Sequence, residues 1–256
     1  MDMKKSLVCC FCCCIVLLAG CGPQTAKDEI VVGGEGADSL AVVNSSIDFT
    51  LMEESNEFPD AIIEMYAPLS NQTFSPGKIP FEFNIKNYPF GEEPSHPQLF
   101  LITNGADPVG HQSPIFQLEF KEGTYRTVAY LVDSQGICLK EFGNYVDRDF
   151  LVGNSRPFPY SAEPYIALNL PRNNQAYAEG EDVIVDFLLI GGDMLMDQLK
   201  VVVKVGTREF EVNDVVPLSI SKLPKGEHLV QLELRKQDGK VFDGPFSSVQ
   251  KSILVQ

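Results

Sequence analysis

From about residue 60 to the C-terminus, apolar and polar positions alternate in short runs. Ile79, Phe81, Phe83 and Ile85 form one such series, and Val183, Val185, Phe187 and Leu189 another. Val201-Val203-Val205, Leu118-Phe120 and Leu232-Leu234 repeat the pattern. Successive side chains of a strand point to opposite faces, so a period of two predicts a half-buried β-strand. Turn signals separate the runs: Ser75-Pro76-Gly77, Asn104-Gly105, Lys121-Glu122-Gly123 and Gln237-Asp238-Gly239. No stretch of this body has a helical period. Short strands at this spacing predict an all-β chain built as β-sandwiches.

The pattern occurs twice. At an offset of 103 residues, Pro68 meets Pro171, Asn71-Gln72 meets Asn174-Gln175, and Phe74 meets Tyr177. Gly77 meets Gly180, Pro114 meets Pro217, Gly123 meets Gly226, Leu131 meets Leu234 and Gly136 meets Gly239. Val146 meets Val249, and Leu151-Val152 meets Leu254-Val255. The matches run in order and fall on turn residues and core-type positions, where a shared fold constrains sequence most. A one-residue shift brings Ile79, Phe81, Phe83 and Ile85 over Val183, Val185, Phe187 and Leu189.

The N-terminus has a different pattern. Lys4-Lys5 precedes an apolar run from Leu7 to Ala19, thirteen residues long. A bilayer-spanning helix needs roughly 20 apolar residues, so the run reads as a signal peptide. It ends in Leu18-Ala19-Gly20-Cys21. This resembles the lipobox of bacterial lipoprotein precursors, which implies cleavage by signal peptidase II between Gly20 and Cys21. The resemblance also implies lipid on the Cys21 thiol and often a further acyl chain on the new amino group. Two or three chains anchor stably where one is marginal. Gly22, in place of an aspartate, leans toward the outer membrane. Residues 22 to about 58 carry Gly33-Gly34-Glu35-Gly36 and several acidic groups and read as a tether. A coil of that length spans about 35 Å.

Glu122-Gly123-Thr124-Tyr125, the run to Val132 and then Asp133 to Gly136 resemble the E–F corner, F strand and F–G turn of bacterial immunoglobulin-like and fibronectin type III-like domains. The second copy has Lys225-Gly226-Glu227-His228, then Leu229 to Leu234 and Gln237-Asp238-Gly239. The resemblance implies a corner role for Tyr125, with its ring packed and its hydroxyl bonded to backbone. His228 departs from the usual tyrosine. The expected organisation is therefore signal peptide 1–20, lipidated tether 21–58, first immunoglobulin-like domain 59–153, linker 154–164 and second immunoglobulin-like domain 165–256.

Charge narrows the partners. The net charge is −15, and residues 1–20 hold Lys4 and Lys5 against Asp2, so the cleaved chain carries −16. That balance disfavours nucleic acid and anionic lipid surfaces. Five of the seven cysteines lie inside the apolar run, where they act as small hydrophobes. With Cys21 acylated, Cys138 has no intrachain partner, so packing must supply the stability.

Candidate chemistry is sparse. His96, His111 and His228 lie far apart with no metal-ligand spacing, and Gly-x-Ser-x-Gly does not occur. Cys138 follows a turn at the start of an apparent strand and reads as a packed residue. Asp147, Asp149 and Asn154 near the link between the copies offer oxygen ligands of a type that suits calcium. Solvent-facing positions of a strand explain the aspartates without a metal. The sequence thus predicts no catalytic residue, metal or cofactor.

Recognition is the expected role, because loops on a rigid sandwich carry binding surfaces. Candidates are Tyr88, Phe90, His96 and His111 in two Pro-rich loops of the first copy, and Phe158 and Tyr160 in the junction. Met194-Leu195-Met196 in the second copy either caps a core or touches a partner. The expected function is a non-catalytic, membrane-anchored envelope lipoprotein that binds a protein or acts as a spacer. A surface-glycan or adhesion module is the alternative and predicts a concave cluster of Tyr88, Phe90 and Tyr160. An enzyme is the third reading and predicts a deep pocket with convergent ionisable groups.

Overall fold

A computed structural model describes residues 47–256, apart from 56, 91–98, 160–162 and 243. Cys21, His96 and Tyr160 lie outside the described residues. The chain is all-β, and each copy of the repeat is a two-sheet sandwich. In the first, one sheet has the order β2 (Ile62–Ala67), β4 (Gly77–Lys86), β7 (Ile115–Phe120). The other has the order β3 (Gln72–Phe74), β9 (Tyr145–Val152), β8 (Gly123–Leu131), β5 (Leu99–Thr103), β6 (Val109–His111). The second sandwich repeats this plan. Its sheets are β10 (Tyr165–Leu170), β12 (Val183–Ile190), β15 (Leu218–Ser221) and β11 (Gln175–Tyr177), β17 (Ser248–Val255), β16 (Gly226–Lys236), β13 (Leu199–Val205), β14 (Arg208–Val212). In each copy the first strand changes sheets and its second part runs parallel to the last strand. This is immunoglobulin-like topology.

The repeated residues have repeated tasks. Asn71 and Asn174 take left-handed backbone at φ 58° and 59°, which asparagine tolerates. Each donates its N–H to the last strand, at Asp149 O and Ser252 O. The following glutamine side chain accepts from a backbone N–H three residues earlier, Leu69 for Gln72 and Arg172 for Gln175. Gly136 and Gly239 hold positive φ in matching turns. At the corner, Tyr125 donates its hydroxyl to Lys121 O at 3.0 Å. His228 Nε2 lies 2.6 Å from Pro224 O, four residues upstream, so an imidazole N–H makes the bond that the phenol makes in the first copy.

A seventeenth strand changes the expected boundaries. β1 (Asp48–Leu51) precedes the first sandwich in sequence but pairs antiparallel with β15 of the second. Phe49 lies opposite Ile220 and Leu51 opposite Leu218. Ile47 and Phe49 pack on the second core, and Phe49 stacks on Phe210 at 5.4 Å. The tether expected over 21–58 therefore needs correction at its C-terminal end, since residues 47–51 belong to the folded body. The reason is the alternation Ile47-Asp48-Phe49, which turns Ile47 and Phe49 onto an otherwise open core edge.

The two sandwiches also pack against each other. Phe100, Ile102, Val128, Tyr130, Val132 and Cys138 of the first meet Tyr165, Ala167, Leu188 and Ile190 of the second in a shared apolar layer. Alternate residues of the same strands, such as Leu99, Leu101 and Leu131 or Ile166, Phe187 and Leu189, fill each sandwich's own core. These strands are buried on both faces, and their sequences accordingly read as unbroken apolar runs, Leu99-Phe100-Leu101-Ile102 and Phe187-Leu188-Leu189-Ile190. The result is a four-layer stack of sheets. The expected linker is drawn onto it. Thr124 Oγ1 donates to Arg156 O, Ser155 Oγ donates to Gly123 O, and Phe158 sits edge-on to Phe246.

A polar network crosses this layer. Asp186 is fully buried, and Lys140 donates to its Oδ1 at 2.5 Å. Its Oδ2 accepts from Cys138 N and Asn169 Nδ2, both at 2.8 Å. Tyr130 OH donates to Asn169 Oδ1. Burial alone would depress the Lys140 ammonium, but the Asp186 carboxylate outweighs it and holds the group above the ordinary lysine value. A buried pair of this kind adds little net stability over an apolar contact, but removing one partner leaves the other charge buried and uncompensated.

Candidate functional site

Three large apolar side chains on structured loops are strongly exposed, Phe142 in the first sandwich and Leu195 and Met196 in the second. In the first sandwich the β8–β9 connection is an ordered extension. Asp133 Oδ1 accepts from Gln135 N and Ile137 N, Val132 bridges Cys138, and Asn144 Nδ2 donates to Ala61 O. Cys138, Leu139 and Asn144 are buried at its base. Phe142 stands at its tip, 101 % exposed. In the second sandwich the β12–β13 connection is a single tight turn. Asp193 Oδ1 accepts from Leu195 N and Met196 N, while Asp197 Oδ2 accepts from Asp193 N. Met194 is buried and caps the core, so the next two residues point outward, Leu195 at 85 % and Met196 at 82 % exposure.

Two grooves open beside these tips. One, of about 480 Å³, lies between the sandwiches, with Lys140 and Tyr145 on one side and Leu188, Met194, Leu195 and Val215 on the other. The second, about 540 Å³, runs along the first sandwich past Ile63, Met65, Tyr66 and Phe142. Tyr145 is a wall of both. Asp193 and Asp214 edge the first groove, and Glu64, Asp147 and Arg148 the second. The first groove is thus mixed in polarity and the second mainly apolar, and the charged side chains at their margins are mostly acidic. Such a patch, on loops held by buried bases, is suited to binding another macromolecule.

The residues predicted for binding are placed elsewhere. Tyr88 turns inward, donating its hydroxyl to Val132 O at 2.6 Å and meeting Phe58 edge-on. Phe90 packs on the same core. Phe158 belongs to the layer between the sandwiches, where the Arg126 guanidinium lies 5.5 Å from its ring. His111 lies flat on Phe116 at 3.7 Å, and burial lowers its pKa. Tyr88 and Phe90 pack at the end of the first core and line neither of these grooves. Asp149 is held by two bonds from Arg126, and Asp147 accepts from Tyr165 OH. Among the described residues no three His, Cys, Asp or Glu side chains group as a metal site. Burial pushes the Cys138 thiol well above its ordinary pKa and the Asp186 carboxylate adds to this, which leaves it a poor nucleophile. The apolar tripeptide 194–196 was the one sequence signal for the seam; Phe142 had none, since its exposure follows from the loop's anchoring.

No known family model matches the chain, and no curated protein matches it. Among solved structures, the three N-terminal domains of the bacteriophage RB49 outer capsid protein Hoc are similar at 10 % identity and TM-score 0.22, over 77 % of this chain and 69 % of that one. Salmonella alpha-2-macroglobulin is similar at 11 % identity and TM-score 0.25, over 82 % of this chain and 15 % of that one. The insect immune protein hemolin is similar at 11 % identity and TM-score 0.23, over 79 % and 48 %. The immunoglobulin-like topology stands on the strand order and registers described above.

Proposed function

We propose that this chain is a non-catalytic, lipid-anchored envelope lipoprotein whose two sandwiches form one rigid module for binding a protein partner at the seam. The observation that carries the reading is the exposure of Phe142, Leu195 and Met196 on loops whose bases are buried and hydrogen-bonded. Solvent exposure of such residues costs solubility, and a preorganised apolar centre with a polar margin is how protein interfaces recover that cost. The acidic margin favours a partner with basic groups around its own apolar contact. Anchoring is supported by Lys4-Lys5, the thirteen-residue apolar run and Leu18-Ala19-Gly20-Cys21. On this reading the body attaches to the membrane through 22–46 and enters the fold at β1, in the second sandwich.

The test places a photo-crosslinking amino acid at position 142, at 195 and, as a control, at the exposed Arg208 on β14. In intact cells a discrete adduct is expected from 142 and 195 and not from 208. Equal labelling from all three positions would refute the seam as the binding surface. Cys21→Ala should abolish incorporation of a radioactive fatty acid, and continued labelling would refute the anchor.

A further inference from the structure

The two sandwiches differ at one edge. β7 and β15 hold the same place in the plan, each paired on one side with the second strand of its sandwich. The registers align Phe116 with Leu218 and Leu118 with Ile220, since Phe116 faces Phe81 where Leu218 faces Val185, and Leu118 faces Ile79 where Ile220 faces Val183. On its other side β15 carries β1, and β7 carries no strand among the described residues. Neither sandwich can form this strand locally, because only residues 112–114 separate β6 from β7 and 213–217 separate β14 from β15.

The difference shows in the side chains. Leu218 and Ile220 are fully buried where β1 pairs beside them, whereas Phe116 and Leu118 pack on the first core but stay only partly buried. On the neighbouring sheet edge, Phe210 is covered by Phe49, while Val109, which occupies its place in the first sandwich, is 56 % exposed. His111 gives Phe116 partial cover, and its Nε2 is buried without a hydrogen-bond partner among the described residues. Phe83 N donates to Pro114 O, so by the alternation of an antiparallel ladder the backbone groups of Ile115, Gln117 and Glu119 face away from the sheet. Ser113 Oγ satisfies those of Ile115. In the second sandwich the matching Pro217 O takes Met52 N. Among the described residues the outward backbone groups of Gln117 and Glu119 are left as open rungs.

We propose that the β7 edge is a second binding site, which accepts an extended segment of another protein as an added antiparallel strand. β1 on β15 supplies its template. The segment places apolar residues at two alternate positions, over Leu118 and Phe116, as Phe49 and Leu51 lie over Ile220 and Leu218. Main-chain bonds to Gln117 and Glu119 give the affinity, and the two apolar side chains give the register. Charge selects against the chain's own strand. Asp48 lies opposite Ser221, whose counterpart in β7 is Glu119, so β1 from a second copy would set two carboxylates across from each other. The favoured occupant carries lysine or arginine at that position. This site is separate from the seam and stands whether or not the seam binds a protein.

The experiment uses the whole chain from residue 22 and two fluorescent peptides, residues 44–54 as they stand and the same peptide with Asp48→Lys. Anisotropy should show the Asp48→Lys peptide binding several-fold more tightly, since Lys78 opposite Glu119 offsets part of the charge. Gln117→Pro, which removes one outward N–H without touching the β4 ladder, should abolish binding and leave the unfolding midpoint in place. Glu119→Lys should reverse the preference between the peptides. Absence of binding by either peptide at millimolar concentration, or binding indifferent to Gln117→Pro, overturns the proposal. So does a dimer that forms without peptide and dissolves with Gln117→Pro, which would give the edge to a second copy. Binding that appears only after removal of residues 22–43 would give it to the chain's own N-terminal segment and overturn the proposal equally.

Discussion

The first and second sandwiches follow one strand plan with different materials. The first core is built of rings: Phe81 touches Phe83, Phe116, Phe120 and Phe150, and Tyr125 stacks on Phe150. The second is aliphatic, with Val183, Val185, Val201, Val203, Leu218, Ile220 and Leu232 around Phe187. What the copies share is turn chemistry, Asn71 with Asn174 and Gly136 with Gly239, together with the corner bond. A core accepts many fillings of the right volume, whereas a left-handed turn accepts few residues. The edges differ in a second way. The second sandwich borrows β1 to cover its edge strand, and the first leaves β7 bare among the described residues. Because β1 precedes the first sandwich in sequence, that sandwich is tied to the second at both ends, through β1 and through the linker.

The largest expected effect comes from breaking the network that holds the copies in alignment. Asp186→Ala leaves the Lys140 ammonium buried without its counter-ion and should cost about 3–5 kcal/mol in urea unfolding. A loss under about 1 kcal/mol would show that water reaches the seam. Replacing both partners, Asp186→Leu with Lys140→Met, should recover most of the loss. The pH dependence has a definite sign. The Lys140 pKa is raised by folding, so its stabilisation is complete below about 10.4, the unfolded value, and fades as pH rises through the folded one. On the acid side, Asp107 accepts from Lys251 and from Asn173 N across the seam. Burial alone would raise its pKa, but the lysine bond holds it below the ordinary value. That stabilisation is present above about 3.9 and is lost as pH falls through the folded pKa. Thiol labelling of Cys138 in the chain from residue 22, divided at each pH by the rate for the same chain unfolded in urea, is the direct measure, and the ratio should be lowest near neutrality and rise toward both extremes. A ratio that stays constant throughout would separate seam opening from these ion pairs.

Next in size is the borrowed strand. Phe49→Ala removes a half-buried ring that stacks on Phe210, and about 2 kcal/mol is expected, below the 3–5 of a fully buried phenylalanine. The effect should fall on the second sandwich. Hydrogen exchange should speed at Leu218 to Ser221 and stay unchanged at Ile115 to Phe120. Equal acceleration at both edges would mean that the sandwiches open as one cooperative unit and that the edge difference has no energetic consequence.

Much of this was legible in the chain, and the rest failed for identifiable reasons. The period-two runs located the strands that face a core on one side, and the 103-residue offset located both copies. The same alternation said nothing about the stack. Leu99 to Ile102 and Phe187 to Ile190 are apolar at every position because both faces are covered, and a single-face period is blind to the second face. β1 carries a readable alternation, but its partner lies some 170 residues away, and no local signal says which edge it joins. Tyr88 and Phe90 read as binding residues in the sequence because loops beside prolines tend to be surface. The decisive fact was the open end of the first core, which only the tertiary arrangement reveals. Leu195 and Met196 were visible as an apolar group, but their separation from buried Met194 depends on the turn that Asp193 organises.

The smallest effect concerns the feature in which the copies differ most quietly. Tyr125 and His228 each bond a carbonyl four residues upstream, with different rings. If the corner depends on the hydrogen bond, His228→Ala should cost about 1 kcal/mol, the usual net contribution of one such bond. His228→Tyr should then be near neutral, because the phenol reaches the same carbonyl in the first copy. If the corner depends on ring packing instead, both hydrogen bonds should be dispensable. Tyr125 contacts Phe120 and Phe150, so Tyr125→Phe would be nearly silent there. His228 is partly buried and stacks on no ring among the described residues, so its loss to alanine would be nearly silent as well. Urea midpoints for these three variants decide between the accounts. A silent Tyr125→Phe with a costly His228→Ala would mean that the second copy relies on a bond the first has made redundant with aromatic packing.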